Sequence, residues 1–121
     1  MSLPPERPLL HVERAGLITR VKVAARELRE SNVQAVGEGL LGLAAELSPP
    51  RLLLDLGEVT YLTSTALGQL VALHKRVRAA DGELVVANVT AAVYEVFRVT
   101  RLHQLLDIRP GEDDGPAPVA C

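Results

Sequence analysis

The sequence predicts a single α/β domain with a mixed central sheet, in which an N-terminal hairpin joins parallel strands covered by helices. Two short, continuous apolar runs, Leu52–Leu54 and Leu84–Ala87, have the make-up of strands buried in a covered sheet. Around them lie longer segments whose apolar residues recur every three or four positions, the period of an amphipathic helix. Strand, helix, strand order occurring twice demands parallel pairing with right-handed connections, and 121 residues suit one domain.

Taken in order, Leu9–Glu13 and Leu17–Val23 are apolar-rich runs separated by Ala15-Gly16, the pattern of a β-hairpin. Val33, Val36, Leu40, Leu43 or Ala44, and Leu47 mark the first helix, which Pro49-Pro50 stops. The Leu52–Leu54 strand ends at Asp55, and the hydroxyl cluster Thr63-Ser64-Thr65 precedes a second helix carrying Ala66, Leu67, Leu70, Val71, His74 and Val77. That helix runs to Asp81-Gly82, and a hydroxyl at its start is the expected N-cap. Leu84–Ala87 is the next strand, and Asn88 to Thr90 cap a third helix with Ala92, Val93, Val96, Phe97 and Thr100 on one face. Leu102–Ile108 closes the domain, which spans 9–109; the proline-bearing residues 1–8 and the acidic residues 110–121 are expected to be flexible tails.

Composition narrows the function. Thirteen Lys+Arg against fifteen Asp+Glu give a net charge of −2, and with a pI near 5.9 the chain offers a polyanion no general attraction, so nucleic acid is not an expected partner. Only Tyr61, Tyr94 and Phe97 are aromatic, too few for a stacking platform. The lone Cys121 closes no intrachain disulfide, and no stretch reaches the length of a membrane span, so the chain is expected to be cytoplasmic and not to insert into a membrane. His11, His74 and His103 do not make a metal-ligand pattern, and the acidic triplet Glu112, Asp113, Asp114 reads as a solvated tail. Gly37-Glu38-Gly39-Leu40-Leu41-Gly42 matches G-x-G-x-x-G but falls inside a helical stripe with no strand before it; its glycines read as small residues that permit close packing. Ser64 lacks the flanking glycines of a nucleophile elbow, and no phosphate-binding P-loop occurs. No cofactor is expected, and no nucleophile, base and orienter can be named together, so the chain is not read as an enzyme.

What remains is the stretch Asp55 to Gly68: a buried strand, a loop and three hydroxyls at a helix start. These hydroxyls suit either of two roles. Ser64 or Thr63 is an N-cap, or Ser64 is a phosphoacceptor whose phosphate would be tolerated at the positive end of the helix dipole.

The run Val59-Thr60-Tyr61-Leu62-Thr63-Ser64-Thr65-Ala66-Leu67-Gly68 resembles the signature of STAS domains, in particular of bacterial anti-sigma factor antagonists, which reads hydrophobic-Asp-Ser-[Ser/Thr]-Gly-Leu-Gly. The resemblance extends over residues 9–109: Glu27-Leu28 stands where the family has Gly-Glu-Leu-Asp, Leu52–Asp55 where it has its central strand, Gly82 to Asn88 at a Gly-Gly-x-Leu strand entry, and Val96–Leu102 at a Phe-x-x-[Ser/Thr]-Gly-Leu helix. Four positions depart from it. Thr63 and Arg29 replace family aspartates, and Ala66 and Arg101 replace glycines. The resemblance implies a STAS fold and a protein that binds an anti-sigma factor, a serine kinase-type ATPase, and so releases a sigma factor. It implies Ser64 as the phosphoacceptor and Arg29, Thr63, Ser64, Thr65, Ala66 and Leu67 as the partner-binding surface, with Arg29 near enough to hold a phosphate or else simply solvated. The alternatives within the family are a STAS subunit of a phospholipid-trafficking ABC transporter, bound to its ATPase, and an unregulated scaffold.

Overall fold

A computed structural model describes residues 9–111 of the protein. β1 (Leu10–Ala15) and β2 (Ile18–Val23) pair antiparallel from Leu10↔Val23 to Ala15↔Ile18, leaving a two-residue turn of Gly16 and Leu17. Gly16 sits at φ 67°, the positive value that a II′ hairpin turn asks of its first residue. The chain continues through β3 (Glu27–Leu28), α1 (Val33–Glu46), β4 (Arg51–Asp55), β5 (Tyr61–Leu62), α2 (Ser64–Ala79), β6 (Glu83–Val89), α3 (Ala91–Val99), a 3-10 turn (Leu102–Gln104) and β7 (Asp107–Pro110).

The main sheet has the order β1-β2-β4-β6-β7, with every pair after the hairpin parallel. Register places Val21 beside Leu54 and Leu54 beside Val86, so these buried residues share one face, together with Leu52, Leu84 and Val23. The stripes of α1 (Val36, Leu40, Ala44) and α2 (Ala66, Leu70, Leu73, Val77) complete a single core, in which Phe97 of α3 is fully buried. The opposite face carries Arg20, Leu53 and Val85 in register, exposed on β2 and half-buried on β4 and β6. Leu53, expected to be buried with its neighbours, therefore points away from the core, because alternate residues of a strand face opposite sides.

Gly37, Gly39 and Gly42 all lie within α1, not at a strand-to-helix turn. A side chain at Gly37 would run into Gln69 of α2, and one at Gly39 into Leu10, so two of the three glycines permit close packing as expected; Gly42 faces open space. Asn88 does not cap α3. It lies inside β6 at φ 58°, at a shift of register between Val86 and Val89, and Thr90 is the cap, its Oγ1 accepting from the Val93 amide at 3.4 Å.

Three strands were not expected from the sequence. β3 and β5 have two residues each, too few to show alternation, and they form a separate small sheet. β7 holds one apolar residue, Ile108, between charges and a proline, the usual make-up of an edge strand. It also moves the end of the ordered domain past 109: Pro110 belongs to β7, and the Gly111 amide donates to Val89 O at 2.9 Å. Pro110 and Gly111, assigned to the tail on sequence, therefore join the sheet, and residues 112–121 lie outside the described residues. Residues 1–8 and the acidic triplet lie outside the described residues.

Two backbone positions generate predictions. Gly82 lies against Pro50, where the Glu83 amide bonds Pro50 O at 2.9 Å, and a Cβ at Gly82 would collide with that carbonyl. Gly82→Ala should lower unfolding stability by about 1–3 kcal/mol, measured by urea denaturation. Arg101 holds a left-handed conformation (φ 65°, ψ 15°) between α3 and the 3-10 turn. Arg101→Gly should raise stability by about 0.5 kcal/mol, as relief of the left-handed strain exceeds the entropy cost of glycine; a loss of stability in the same assay would contradict this.

Candidate functional site

β2 and β4 both run off the main sheet at their carboxyl ends and pair again as β3 and β5. Their parallel register matches Glu27 with Tyr61 and Leu28 with Leu62. The Thr60 amide donates to Arg26 O at 2.7 Å and the Thr63 amide to Leu28 O at 3.1 Å, so the pairing extends to the residue where α2 begins. Leu28 and Leu62 are buried beneath it. The turn after β4 is closed by Asp55, whose Oδ1 accepts from the Gly57 amide at 2.8 Å and from Asn88 Nδ2 at 3.2 Å.

Of the two candidate caps, the structure selects Thr63. Its Oγ1 accepts from the Ala66 amide at 3.3 Å, and its carbonyl accepts from the Leu67 amide at 3.1 Å. Threonine thus performs locally what an aspartate in this position would also perform, because both present an oxygen to the first turn. Ser64 is the first residue of α2, exposed, with a hydroxyl that has no hydrogen-bond partner among the described residues. Thr65 is exposed and donates its hydroxyl proton to Glu30 Oε2 at 3.2 Å. Leu67 is half-buried.

Ala66, which the resemblance places on the contact surface, lies in the core instead. It is 1% exposed, because the third residue of this amphipathic helix turns inward. Arg29 is exposed but does not touch Ser64: its Nε pairs with Glu27 Oε1 at 2.6 Å, and its guanidinium lies 5.6 Å from the centre of the Tyr61 ring. Arg29, Glu30, Ser31, Tyr61 and Thr63 line a shallow cleft of about 280 Å³ beside the start of α2. The backbone below is held by Asn32, whose Oδ1 accepts from the Arg29 amide at 2.9 Å while its Nδ2 donates to Glu27 O at 2.9 Å.

Arg29 and Thr63 thus line one cleft, with Ser64 and Thr65 next along the chain, while Glu30, Ser31, Tyr61 and the Asn32 clamp are not expected from the sequence. Tyr61 had a signal, being one of three aromatic residues in the chain, and it is 50% exposed. Glu30 had none, since its partner Thr65 is thirty-five residues away. His74 lies farther along α2 as a half-buried boundary residue, and burial together with the charge of Arg78 holds its pKa below the usual histidine value. Among the described residues there is no cluster of three metal-ligating side chains, and no helix is long and apolar enough to cross a membrane.

A mixed sheet with an antiparallel hairpin, helices on its apolar face and a hydroxyl-capped helix rising from a small side sheet is the architecture of a recognised class of α/β domains. The chain belongs to the STAS domain family, whose profile matches residues 11–115. It is similar to the anti-sigma-B factor antagonist of Listeria monocytogenes, with 33% identity over 61 residues. That match covers 50% of this chain and 54% of the relative, so it spans about half the length of each. Two solved structures share the fold. An anti-sigma factor antagonist from Mycobacterium paratuberculosis has a TM-score of 0.74 at 26% identity, covering 87% of both chains. An anti-sigma-factor antagonist (STAS) domain protein from Planctomyces limnophilus has a TM-score of 0.76 at 22% identity, covering 84% of this chain and 89% of that one.

The cap is testable by itself. Thr63→Ala should lower stability by about 1 kcal/mol, while Thr63→Asp should match or exceed the parent, because a carboxylate both caps and meets the positive end of the dipole. Equal stability of all three proteins in urea unfolding would contradict the capping role.

Proposed function

We propose that this protein is an anti-sigma factor antagonist: it binds a kinase-type anti-sigma factor through the surface at the start of α2, frees a sigma factor, and is switched by phosphorylation of Ser64. The observation that carries the proposal is the Ser64 hydroxyl, exposed on the first residue of a capped helix and next in sequence to Thr63, which lines an open cleft. The names of the Listeria relative and of the two structural neighbours support the antagonist role within this reading. The contact surface comprises Arg29, Thr63, Ser64, Thr65 and Leu67, joined by Tyr61 and Glu30. Tyrosine and arginine are among the side chains that most often anchor protein interfaces, and here the Arg29 guanidinium lies over the Tyr61 ring.

On this reading the chain acts by binding and supplies no catalysis, in the cytoplasm where sigma factors work. Among the described residues the Ser64 hydroxyl has no hydrogen-bond partner, and on this reading the kinase supplies the base. The kinase would transfer the γ-phosphoryl group of its Mg-bound ATP to Ser64 Oγ, with the hydroxyl proton passing to that base and ADP leaving. The product carries nearly two added negative charges at the centre of the contact surface. Desolvating them is costly, and the complex dissociates.

Affinity capture of the tagged chain from its own cells, with mass spectrometry of the Ser64 peptide, should recover an anti-sigma ATPase and a phosphate on Ser64. Recovery of an ABC transporter ATPase in its place would overturn the proposal in favour of lipid transport. Against the purified anti-sigma factor, Ser64→Asp should weaken binding by about tenfold or more, roughly 1.4 kcal/mol, and Ser64→Ala should retain it. Equal affinities of the two variants would contradict the switch.

A further inference from the structure

We infer that Arg29 is the side chain that takes up a phosphate on Ser64, leaving Glu27 and the Tyr61 ring to do so. The inference rests on the phosphorylation proposed above and describes what the modification does to the surface. Placement comes first. The Thr63 amide bonds Leu28 O, which sets Arg29 beside Thr63 at the spacing of neighbouring strands, about 4.8 Å, with Ser64 the next residue along. The backbone of Arg29 is pinned on both sides: its amide donates to Asn32 Oδ1 at 2.9 Å, and its carbonyl accepts from the Val33 amide at 2.7 Å. Only the long side chain has to swing.

The guanidinium is free to do this. Its ion pair with Glu27 is made through Nε, and both side chains of that pair are about half exposed. The remaining N–H donors form a fork suited to two oxygens of a phosphate. In the contest for Arg29, the Glu27 carboxylate offers one negative charge and two oxygens, whereas a phosphoserine offers nearly two charges and three oxygens. Phosphate is the stronger partner at equal exposure.

The other charges facing the site work in both directions. Glu30 holds the Thr65 hydroxyl at 3.2 Å and would repel a phosphate on the adjacent Ser64. Arg26, exposed one residue before β3, adds a positive charge and is not among the residues that line the cleft. The modification would therefore draw Arg29 off Tyr61, push Glu30 off Thr65 and open the cleft that both residues line. A partner reads a changed surface as well as a new charge.

The test uses the full chain with phosphoserine installed at position 64 during translation, so its outcome does not depend on any kinase or partner. Phosphorus NMR follows the second ionisation of the phosphate, ordinarily near pH 6. Arg29→Gln should raise this midpoint by about half a unit and Glu30→Gln should lower it by a similar amount. Arg29→Lys should fall between Arg29→Gln and the parent, since it keeps the charge and loses the fork. Arg26→Gln should move it distinctly less. No shift in Arg29→Gln, or an equal shift in Arg26→Gln, would overturn the inference while leaving the phosphorylation reading intact; absence of phosphate on Ser64 in cells would overturn that reading instead.

Discussion

The pairing of β3 with β5 is the constraint on which the site depends. Each strand has only two residues, and their worth lies in what they connect: two chain segments that leave the carboxyl ends of β2 and β4 and would otherwise be independent loops. The backbone bonds at Thr60 and Thr63, with Leu28 and Leu62 buried underneath, bring Arg29 and the first turn of α2 to the same place. Residues more than thirty positions apart then act as one surface. The polar groups involved are bonded locally, through Asn32, Thr63 and Asp55, so the chain itself holds the backbone of this surface in shape.

Departures from the family pattern acquire physical meaning in this frame. Thr63, standing where the family has aspartate, preserves the cap and removes a charge, and Glu30 returns a carboxylate to the first turn of α2 through Thr65. Ala66, standing where the family has glycine, adds a methyl group that the core accommodates, as its near-complete burial shows. Arg101 stands at a family glycine and keeps the left-handed backbone that glycine adopts freely. Thr63, Ala66 and Arg101 thus leave the fold untouched, while Thr63 and Arg29, each in place of an aspartate, both change the charge of the cleft. Electrostatics at the site, more than architecture, separates this chain from the family pattern.

Much of the fold could be read from the sequence because its main elements are long enough to show a period. The stripes Val33–Leu47 and Ala66–Val77 identify α1 and α2, and the apolar runs identify β4 and β6. Strands of two residues show none, so β3 and β5 were invisible, and β7 was hidden by its charges and proline. At the site, Thr63, Ser64 and Thr65 were visible as a local cluster. The burial of Ala66, the Glu30–Thr65 bond and the placement of Arg29 over Tyr61 arise from tertiary contacts that no local pattern encodes. Leu53 shows the same limit from the other side: its apolar run is continuous, yet the pleat turns it away from the core.

The central claim is that the partner docks where α2 begins. Its most direct test is to map amide chemical-shift changes across the isotope-labelled chain as the purified anti-sigma factor is added. The account predicts that the changes concentrate at residues 26–31 and 58–67, with the far face of the sheet at Arg20, Leu53 and Val85 unaffected. Changes centred on that sheet face, with the start of α2 silent, would contradict it.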